Sequence, residues 1–403
     1  MNQPRAYFSK PWGYIESISI VLGILLVSIG FEIVSEIPTP ILAFPYNLFS
    51  LIILFGGSLL IHFFSRSNKT IAWFSSIPAS VGAIILFLTL TLIMACVPQQ
   101  NESHSYQFIT NVTSSWAYYC ATAYLLLVLG AVTIRRLGSF NRVNLSFFLN
   151  HAGLWITIAT ASLGAGDVAK YRMTLSKDTT EWRAINSQNT IQEFDFALHL
   201  YAFEKEEYPA KIACVNPHTG TIYTHNNTLA IFEADSINSF VYNDYTISVQ
   251  KHLPSSLFFA HEYHPINEYG ATQSYYVNIT HMPTQTDTSG WISVASIIQP
   301  AHYLTINDST TLAVLSPEAK RYASHVKVYK KNGDMYTAVI EVNKPITIDG
   351  FKLYQTGYDE TKGRWSDISI LEIVHDPWLP FVYFGIFLFL AGTGMIIWFG
   401  KKR

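Results

Sequence analysis

Residues 378–400 read WLPFVYFGIFLFLAGTGMIIWFG, a run without Asp, Glu, Lys or Arg. A helix needs about 20 apolar residues to cross the roughly 30 Å hydrocarbon core of a membrane. Trp378 and Trp398 lie near the two ends of the run, where indole rings favour the membrane interface. The run therefore predicts a transmembrane helix, and Asp376 followed by Pro377 is typical of an N-cap and first-turn proline.

Five further apolar runs precede residue 166, at 14–34, 43–64, 74–97, 117–134 and 144–165. The first contains Glu16 and Glu32 near its ends, where a carboxylate can reach the lipid headgroups. The sequence predicts an α-helical polytopic membrane protein with six transmembrane helices. Its expected parts are a membrane domain over 1–165, a long segment of ordinary polarity over 166–376, and a last helix with a basic tail over 377–403.

The basic residues of the short connections fall on alternate loops, whereas the connections 35–42 and 98–116 contain no Lys or Arg. The positive-inside rule makes the basic side cytoplasmic. Both chain ends are then expected inside and residues 166–376 outside. The residues that carry this prediction are Arg5, Lys10, Arg66, Lys69, Arg135, Arg136, Arg142, Lys401, Lys402 and Arg403.

Composition excludes several classes of protein. Only 13% of the residues are charged and the net charge is -2, which gives no reason to expect nucleic-acid binding. Cys96, Cys120 and Cys214 form no Cys-x-x-Cys pair, so a thioredoxin-like exchanger and a Cys-rich zinc module are excluded. Cys96 and Cys120 fall near the outer ends of successive helices, where either a disulfide or simple burial fits.

The external segment alternates apolar and polar residues between turn signals, which predicts a β-rich domain. Asn332-Gly333 predicts a two-residue hairpin in which Tyr329 faces Tyr336. Asp349-Gly350 predicts a second hairpin, with Ile348 opposite Phe351 and Ile346 opposite Leu353. Further strands are expected at 194–203, 221–223, 245–249, 275–279 and 368–374.

Only two of the 13 histidines, His62 and His151, lie inside predicted membrane helices, and both fall toward the cytoplasmic ends. An ionisable residue within the membrane is a functional candidate. His62 fits either a side chain that reaches the interface or a ligand, and His151 fits either a helix-packing hydrogen bond or a haem ligand. Trp155, one turn after His151, would offer haem an aromatic wall.

The external motif His261-Glu262-Tyr263-His264 has the wrong spacing for a zinc protease, because its second histidine comes at i+3 rather than i+4. We interpret it as a surface loop. A Gly-rich phosphate loop and a Gly-x-Ser-x-Gly motif are absent from the sequence, so neither a nucleotide nor zinc is expected.

Residues 342–359, VNKPITIDGFKLYQTGYD, followed by Asp376-Pro377, resemble the signature of the ResB family, also called CcsB. Asn150-His151-Ala152-Gly153-Leu154 resembles the start of that family's last helix before the external domain. The residues that carry the signature, expected to be structural, are Asn343, Pro345, Gly350, Tyr354, Gln355, Tyr358 and Asp376.

The resemblance implies a role in the System II pathway of cytochrome c biogenesis in the bacterial inner membrane, with the external domain in the periplasm. A ResB-like subunit with a CcsA-like membrane partner would move haem b outward and present it to apocytochrome c. It would be a non-catalytic or co-catalytic subunit of the haem lyase complex. The family's transmembrane histidine, a proposed axial haem ligand, corresponds to His151; His62 is a candidate for the second ligand.

The chain departs from the family in having five predicted helices before the external domain, where three are typical. It also lacks the partner's Trp-Gly-x-x-Trp-x-Trp-Asp segment. Two other functions are alternatives: a membrane-anchored scaffold or sensor whose β-rich domain binds a protein partner without handling haem, and a small-solute transporter. The transporter is disfavoured because the two halves contain no matching Gly/Pro-broken helices.

Overall fold

The computed structural model describes residues 12–35, 39, 42–99, 107–136, 141–225, 228–234 and 239–399. Contacts divide the chain into two compact units, Met1–Val168 with Asp376–Arg403, and Ala169–His375. The first is helical and the second is built of strands. The basic residues expected at the two chain ends, Arg5, Lys10 and 401–403, lie outside the described residues.

Eight helices are described in the first unit. They are α1 (Tyr14–Ser35), α2 (Tyr46–Phe64), α3 (Lys69–Trp73), α4 (Ile77–Cys96), α5 (Gln107–Thr110), α6 (Trp116–Arg136), α7 (Arg142–Gly164) and α8 (Leu379–Phe399).

Five of these helices, α1, α2, α4, α6 and α8, are long and apolar enough to cross a membrane, which marks the chain as a membrane protein. The helix α7 has 23 residues but is not among the five. Its sequence is more polar, because Asn144, Asn150, His151 and several hydroxyl side chains interrupt the apolar residues. Only five of the six expected spans therefore meet the requirement by length and composition.

Side-chain caps fix the starts of several helices. Asn141 Oδ1 accepts a 2.9 Å hydrogen bond from the backbone N–H of Asn144 at the start of α7. At the start of α8, Asp376 Oδ1 accepts from the N–H groups of Trp378 at 3.1 Å and Leu379 at 3.0 Å. The N-cap predicted at Asp376 is thus present.

The second unit contains 19 described strands. They are β1 (Ala169–Ser176), β2 (Thr180–Asn186), β3 (Ile191–Glu207), β4 (Lys211–Val215), β5 (Thr224–His225), β6 (Thr228–Leu229), β7 (Ile231–Glu233), β8 (Ser239–Tyr242), β9 (Tyr245–Phe259), β10 (Glu262–Pro265), β11 (Thr272–His281), β12 (Thr286–Ser293), β13 (Leu304–Asn307), β14 (Thr310–Val314), β15 (Ala319–Lys330), β16 (Met335–Glu341), β17 (Ile346–Ile348), β18 (Phe351–Tyr358) and β19 (Ile368–His375). The chain therefore contains the large β-rich domain that the alternating pattern predicts.

The largest sheet has eight antiparallel strands in the order β16-β15-β3-β2-β1-β19-β18-β17. The strand β16 at one edge approaches β17 and β18 at the other edge, which shows that the sheet is curled. Alternate side chains point inward to a core that includes Met173, Leu198, Val326, Leu353 and Leu371, all fully buried. Burial of one face explains why these strands alternate apolar and polar residues.

A second core lies between a five-stranded sheet containing β8 to β12 and a four-stranded sheet in the order β13-β14-β4-β7. Ile212 and Leu312 from the smaller sheet meet Ile247, Tyr275 and Ile292 from the larger one. Two sheets packed face to face in this way form a β-sandwich.

The predicted strand register is confirmed for one of the two hairpins and wrong for the other. Around Asp349-Gly350, Ile348 pairs with Phe351 and Ile346 with Leu353, as predicted. Around Asn332-Gly333 the predicted register is wrong by one residue, because Tyr329 pairs with Met335 rather than Tyr336.

The φ angles explain the difference between the hairpins. Asp349 at +47° and Gly350 at +86° are both left-handed, as a two-residue type I′ turn requires. In the other turn Gly333 is left-handed at +93° but Asn332 is not. That pattern belongs to a three-residue loop with a bulge, which shifts the pairing.

Two smaller expectations are corrected, and one open alternative is decided. The segment interpreted as a loop at His261–His264 is instead a turn that leads into β10, with His261 at a φ of +67°. Residues 221–223 form only an isolated bridge between Ile222 and Val215. Cys96 and Cys120 are free thiols, so no disulfide joins them.

Candidate functional site

His151 lies in α7, nine residues after Arg142, or about 14 Å along the helix at 1.5 Å per residue. Its Nδ1 is 3.0 Å from the carbonyl oxygen of Phe147. A carbonyl oxygen can only accept, so this hydrogen bond assigns the proton to Nδ1 and leaves a lone pair on Nε2. Nε2 makes no hydrogen bond to any described residue. The imidazole is thus held in the tautomer that ligates a metal through Nε2.

Aromatic contacts fix the orientation of the same ring. The His151 and Phe147 rings are stacked, with centroids 3.7 Å apart and 20° between their planes. The guanidinium carbon of Arg136, in the last turn of α6, lies 4.9 Å from the centre of the Phe147 ring. Phe147 therefore contacts both the imidazole and an exposed cation.

Trp155 joins three helices. Its indole Nε1 donates a 2.9 Å hydrogen bond to the carbonyl oxygen of Leu126 in α6. The indole ring also meets Phe55 of α2 edge to face, with centroids 6.0 Å apart. Trp155 is therefore engaged in the packing of α7 against α6 and α2. This packing explains its presence without a ligand.

Gly130 of α6 makes the close approach at this junction possible. A Cβ at this position would overlap Ser58 Oγ of α2 and lie 3.2 Å from Trp155 Nε1. Ser58 Oγ also contacts the carbonyl oxygens of Leu54, at 3.0 Å, and Leu127, at 3.3 Å. We call this meeting point of Ser58, Gly130 and Trp155 the three-helix junction.

His62 lies four residues after Ser58 in α2 and so on the same face of that helix. Its side chain is half-buried, and Nδ1 is fully buried without a hydrogen-bond partner among the described residues. Most buried polar atoms in proteins are hydrogen-bonded. An orphaned imidazole nitrogen is therefore the kind of atom that a bound group would satisfy.

Helix α7 packs closely along α8 through small residues. A Cβ on Gly153 would overlap the backbone of Phe389, and one on Gly392 would overlap the backbone of Asn150. Asn150 Nδ2 also donates a 2.8 Å hydrogen bond to Thr393 Oγ1. Small residues and interhelical hydrogen bonds are the means by which helices associate in membranes.

Asp167 closes the other end of α7. Its carboxylate accepts hydrogen bonds from the N–H of Phe44 at 2.7 Å, from Asn47 Nδ2 at 2.7 Å and from Trp378 Nε1 at 2.6 Å. Burial opposes ionisation, but these three donors hold the pKa of Asp167 below its ordinary value of 3.8. The carboxylate thus links the chain before α2, the end of α7 and the start of α8.

The signature residues of the β unit take part in its packing. Gln355 is buried, and its Oε1 accepts hydrogen bonds from Ser324 Oγ at 2.6 Å and Ser369 Oγ at 3.1 Å. Tyr358 packs against Tyr322 and Phe203, with ring centroids 5.1 and 5.3 Å away.

The remaining signature residues lie at turns or along β18. Asn343 is left-handed at a φ of +62°, and Gly350 forms the turn before β18. Pro345 is exposed directly before β17, and Tyr354 is half-buried opposite Glu372. Each of these positions has a structural explanation.

Sequence reasoning singled out His62, His151 and Trp155, and the structure brings the helices that carry them together. Sequence reasoning missed Arg136, Gly130 and Asp167, whose roles depend on contacts between different helices. In the sequence, Arg136 indicates only the topology of the helices. Over the described ranges no cluster of three or more His, Cys, Asp or Glu side chains could hold a metal ion.

Residues 293–369 match the model of the ResB-like family. This ResB-like segment includes β13 to β18 and the signature at 342–359. The match confirms the resemblance to the ResB family over these residues, which are less than half of the chain, and it suggests a role in cytochrome c biogenesis. No curated protein matches the chain.

Proposed function

We propose that this chain is a haem-handling subunit of cytochrome c biogenesis. With a CcsA-like membrane partner, it moves haem b from the cytoplasmic side of the membrane to the outer face. There the complex presents haem to apocytochrome c for covalent attachment. The ResB-like segment supports the pathway, and His151 supports the contact with haem.

The observation that carries this proposal is the state of the His151 ring. Its Nδ1 is bonded to the Phe147 carbonyl oxygen and its Nε2 is free of hydrogen bonds to the described residues. Neutral imidazole is a common axial ligand of haem iron. A ligating histidine typically donates its other N–H to a carbonyl or carboxylate, as His151 does.

The surroundings of His151 also suit haem. Haem is a flat apolar ring with two carboxylates at one edge. Phe147 of α7 offers it an aromatic neighbour, and Arg136 of α6 offers it a cation. Arg136 belongs to the basic cluster that the positive-inside rule makes cytoplasmic. A haem that reaches His151 would then come from the side on which this cluster lies.

We propose that α7 is the sixth transmembrane helix despite its polarity. Its polar side chains have partners within the helical unit, including Asn150 on Thr393, His151 on Phe147 and Trp155 on Leu126. Polar residues in membrane helices face the interior of the bundle in this way. Six crossings place both chain ends in the cytoplasm and the β-rich unit in the periplasm of a bacterial inner membrane.

The chain is a non-catalytic or co-catalytic subunit in this proposal. It lacks the Trp-Gly-x-x-Trp-x-Trp-Asp segment of CcsA-like proteins, so the partner supplies that part of the haem path. The β-rich unit is then available to hold apocytochrome c or the partner outside the membrane.

The test is the visible spectrum of the complex purified in detergent from haem-replete cells. Wild type is expected to show a b-type haem spectrum that His151→Ala removes or weakens strongly. His218→Ala, at an exposed site in the β unit, serves as the matched control and should leave the spectrum unchanged. A wild-type complex without haem would contradict the proposal and favour the scaffold function. An unchanged spectrum in His151→Ala would contradict the role of His151.

A further inference from the structure

The β unit contains a groove that the proposed haem site does not use. It has a volume of about 630 Å³ and is lined by parts of β1, β2, β18, β19 and the turn after β2. Successive side chains of a strand point to opposite faces, and Met173 of β1 and Leu371 of β19 point into the core. The groove is therefore on the other face of the sheet, toward solvent. Its polar lining includes Lys170, Arg172, Asn186, Ser187, Asn189 and Glu372.

Two lysines at this groove have no partner in the described part of the fold. Most Lys and Arg side chains of the β unit contact a carboxylate, a carbonyl oxygen or an aromatic ring. Lys170 and Lys352 make no hydrogen bond, ion pair or ring contact with any described residue. Both pair with Val374 of β19, one from each side, so their Cα atoms are about 10 Å apart. Two side chains of this length can reach one anion between them.

The charges around the groove favour an anion. Glu372 is the one acidic side chain among its described lining residues, and Arg172 lies directly opposite it on β1. These two charges offset each other. Lys170 and Lys352 then leave a formal charge of two minus zero, or +2, at this end of the groove. Ammonium groups without a carboxylate partner bind phosphate through charge-assisted hydrogen bonds.

The turn between β2 and β3 adds hydrogen-bond donors that are held in place. Asn186 Oδ1 accepts 2.9 Å hydrogen bonds from the backbone N–H groups of Gln188 and Thr190. The N–H of Asn186 also donates to the carbonyl oxygen of Thr190 at 3.0 Å. Asn186 Nδ2 and the Ser187 hydroxyl have no acceptor among the described residues. Amide and hydroxyl groups of this kind can donate to phosphate oxygens.

The chain keeps this groove close to the start of a membrane helix. Asp167 accepts a 2.6 Å hydrogen bond from Nε1 of Trp378, the residue before α8. The helix α8 has 21 residues, or about 31 Å, so its first turn reaches the headgroup region of a bilayer. Lys170 is three residues after Asp167, and three extended residues span at most about 11 Å. Lys170 is therefore within reach of lipid headgroups.

We infer that this groove binds the phosphate group of an anionic phospholipid, in the leaflet on the same side of the membrane as the β unit. Lys170 and Lys352 match the charge of the phosphate, and the turn donates to its oxygens. Ile185, which lines the groove, pairs with Ile191, and these two exposed side chains suit the adjoining part of the acyl chains. The inference rests on α8 crossing the membrane and not on haem, so its failure would leave the proposed function intact.

The test titrates the full-length chain in detergent with dihexanoyl phosphatidylglycerol, and native mass spectrometry measures the fraction bound. Wild type is expected to bind this lipid more tightly than zwitterionic dihexanoyl phosphatidylcholine. Lys170→Gln and Lys352→Gln should each weaken the binding of phosphatidylglycerol by about 5-fold. Glu372→Gln removes the carboxylate and should strengthen it by about the same factor, a gain that misfolding cannot produce. Lys177→Gln is the matched control, because Lys177 is exposed just beyond the far end of β1.

Three results would overturn the inference. The first is equal affinity of wild type for the two lipids. The second is unchanged binding of phosphatidylglycerol in both Lys170→Gln and Lys352→Gln. The third is displacement of phosphatidylglycerol by inorganic phosphate at the same concentration, which would show that the groove takes free phosphate and not a lipid.

Discussion

The imidazole of His151 stacks on the ring of Phe147, with centroids 3.7 Å apart, while its Nδ1 contacts the carbonyl oxygen of the same residue at 3.0 Å. One residue therefore fixes both the plane and the tautomer of the histidine. Because Phe147 is one turn before His151, these restraints belong to α7 itself. The ring is held in one orientation before any ligand binds, which lowers the entropy that binding must overcome.

The guanidinium of Arg136 lies over the Phe147 ring of this stack. We expect Arg136 to recognise the carboxylates of haem. We predict that Arg136→Gln weakens haem binding by about 10-fold, a loss of roughly 1.4 kcal/mol. The measurement is a titration of the apoprotein with haem, and Arg172→Gln in the β unit is the control. Haem dimethyl ester has no free carboxylates, so wild type and Arg136→Gln should bind it equally. A 10-fold difference that persists with the ester would contradict the role.

Gly130 is expected to be essential to the three-helix junction. Gly130→Leu would drive a side chain into Ser58 and Trp155, and overpacking of this kind costs typically 1–3 kcal/mol. We predict a lower midpoint of thermal unfolding and weaker haem binding. The matched control is Gly56→Leu, because a Cβ at Gly56 meets no heavy atom within 4 Å. Equal effects of the two substitutions would show that the junction does not hold the site.

Gln355 allows the family signature to be tested separately from haem binding. Gln355→Leu removes the acceptor that the Ser324 and Ser369 hydroxyls share. These hydroxyls also contact each other at 2.6 Å, so one of them is left without its partner, at a cost of roughly 1–3 kcal/mol. We predict faster hydrogen exchange in β15, β18 and β19 and an unchanged haem spectrum. The exposed Gln188→Leu should change neither. Loss of haem at normal hydrogen-exchange protection would assign this residue a direct part in haem handling.

The lowered pKa of Asp167 predicts a specific dependence of stability on pH. Its pKa is lower in the folded protein, so ionised Asp167 stabilises the fold above its ordinary pKa of 3.8. That stabilisation is lost as the pH falls through the lower, folded value. In thermal unfolding between about pH 7 and about pH 3, Asp167→Asn should be less stable near neutrality, with a difference that shrinks on acidification. The unfolding midpoint of Asp308→Asn, at an exposed site, should follow that of wild type at every pH. A difference in midpoint between Asp167→Asn and wild type that does not change with pH would refute this account.

Local patterns predicted most of the elements. The apolar runs give all six long helices to within a few residues, since length and hydropathy are local properties. The turn at Asp349-Gly350 was predicted in register because both residues accept positive φ. The turn at Asn332-Gly333 contains the same signal, but only Gly333 has a positive φ there. The N–H of Lys330 then donates a 2.9 Å hydrogen bond to the carbonyl oxygen of Asp334. The sequence alone does not distinguish these two geometries.

The site was predicted only as separate residues. His62 and His151 stood out because histidine is costly in a membrane. The packing of their helices, however, depends on Gly130 and Trp155, which look like ordinary helix residues. Asp167 was one acidic residue after an apolar run, with no signal for its three donors from distant parts of the chain. Contacts between helices more than 60 residues apart, such as Ser58 with Leu127, depend on packing and not on local pattern.

The central claim is that His151 binds the haem iron, and chemical rescue tests it most directly. We predict that the complex with His151→Gly is purified with little haem, and that imidazole added during haem loading restores the wild-type spectrum by filling the space left by the side chain. Haem bound to His151→Gly at the wild-type level and with the wild-type spectrum, in the absence of imidazole, would contradict the account.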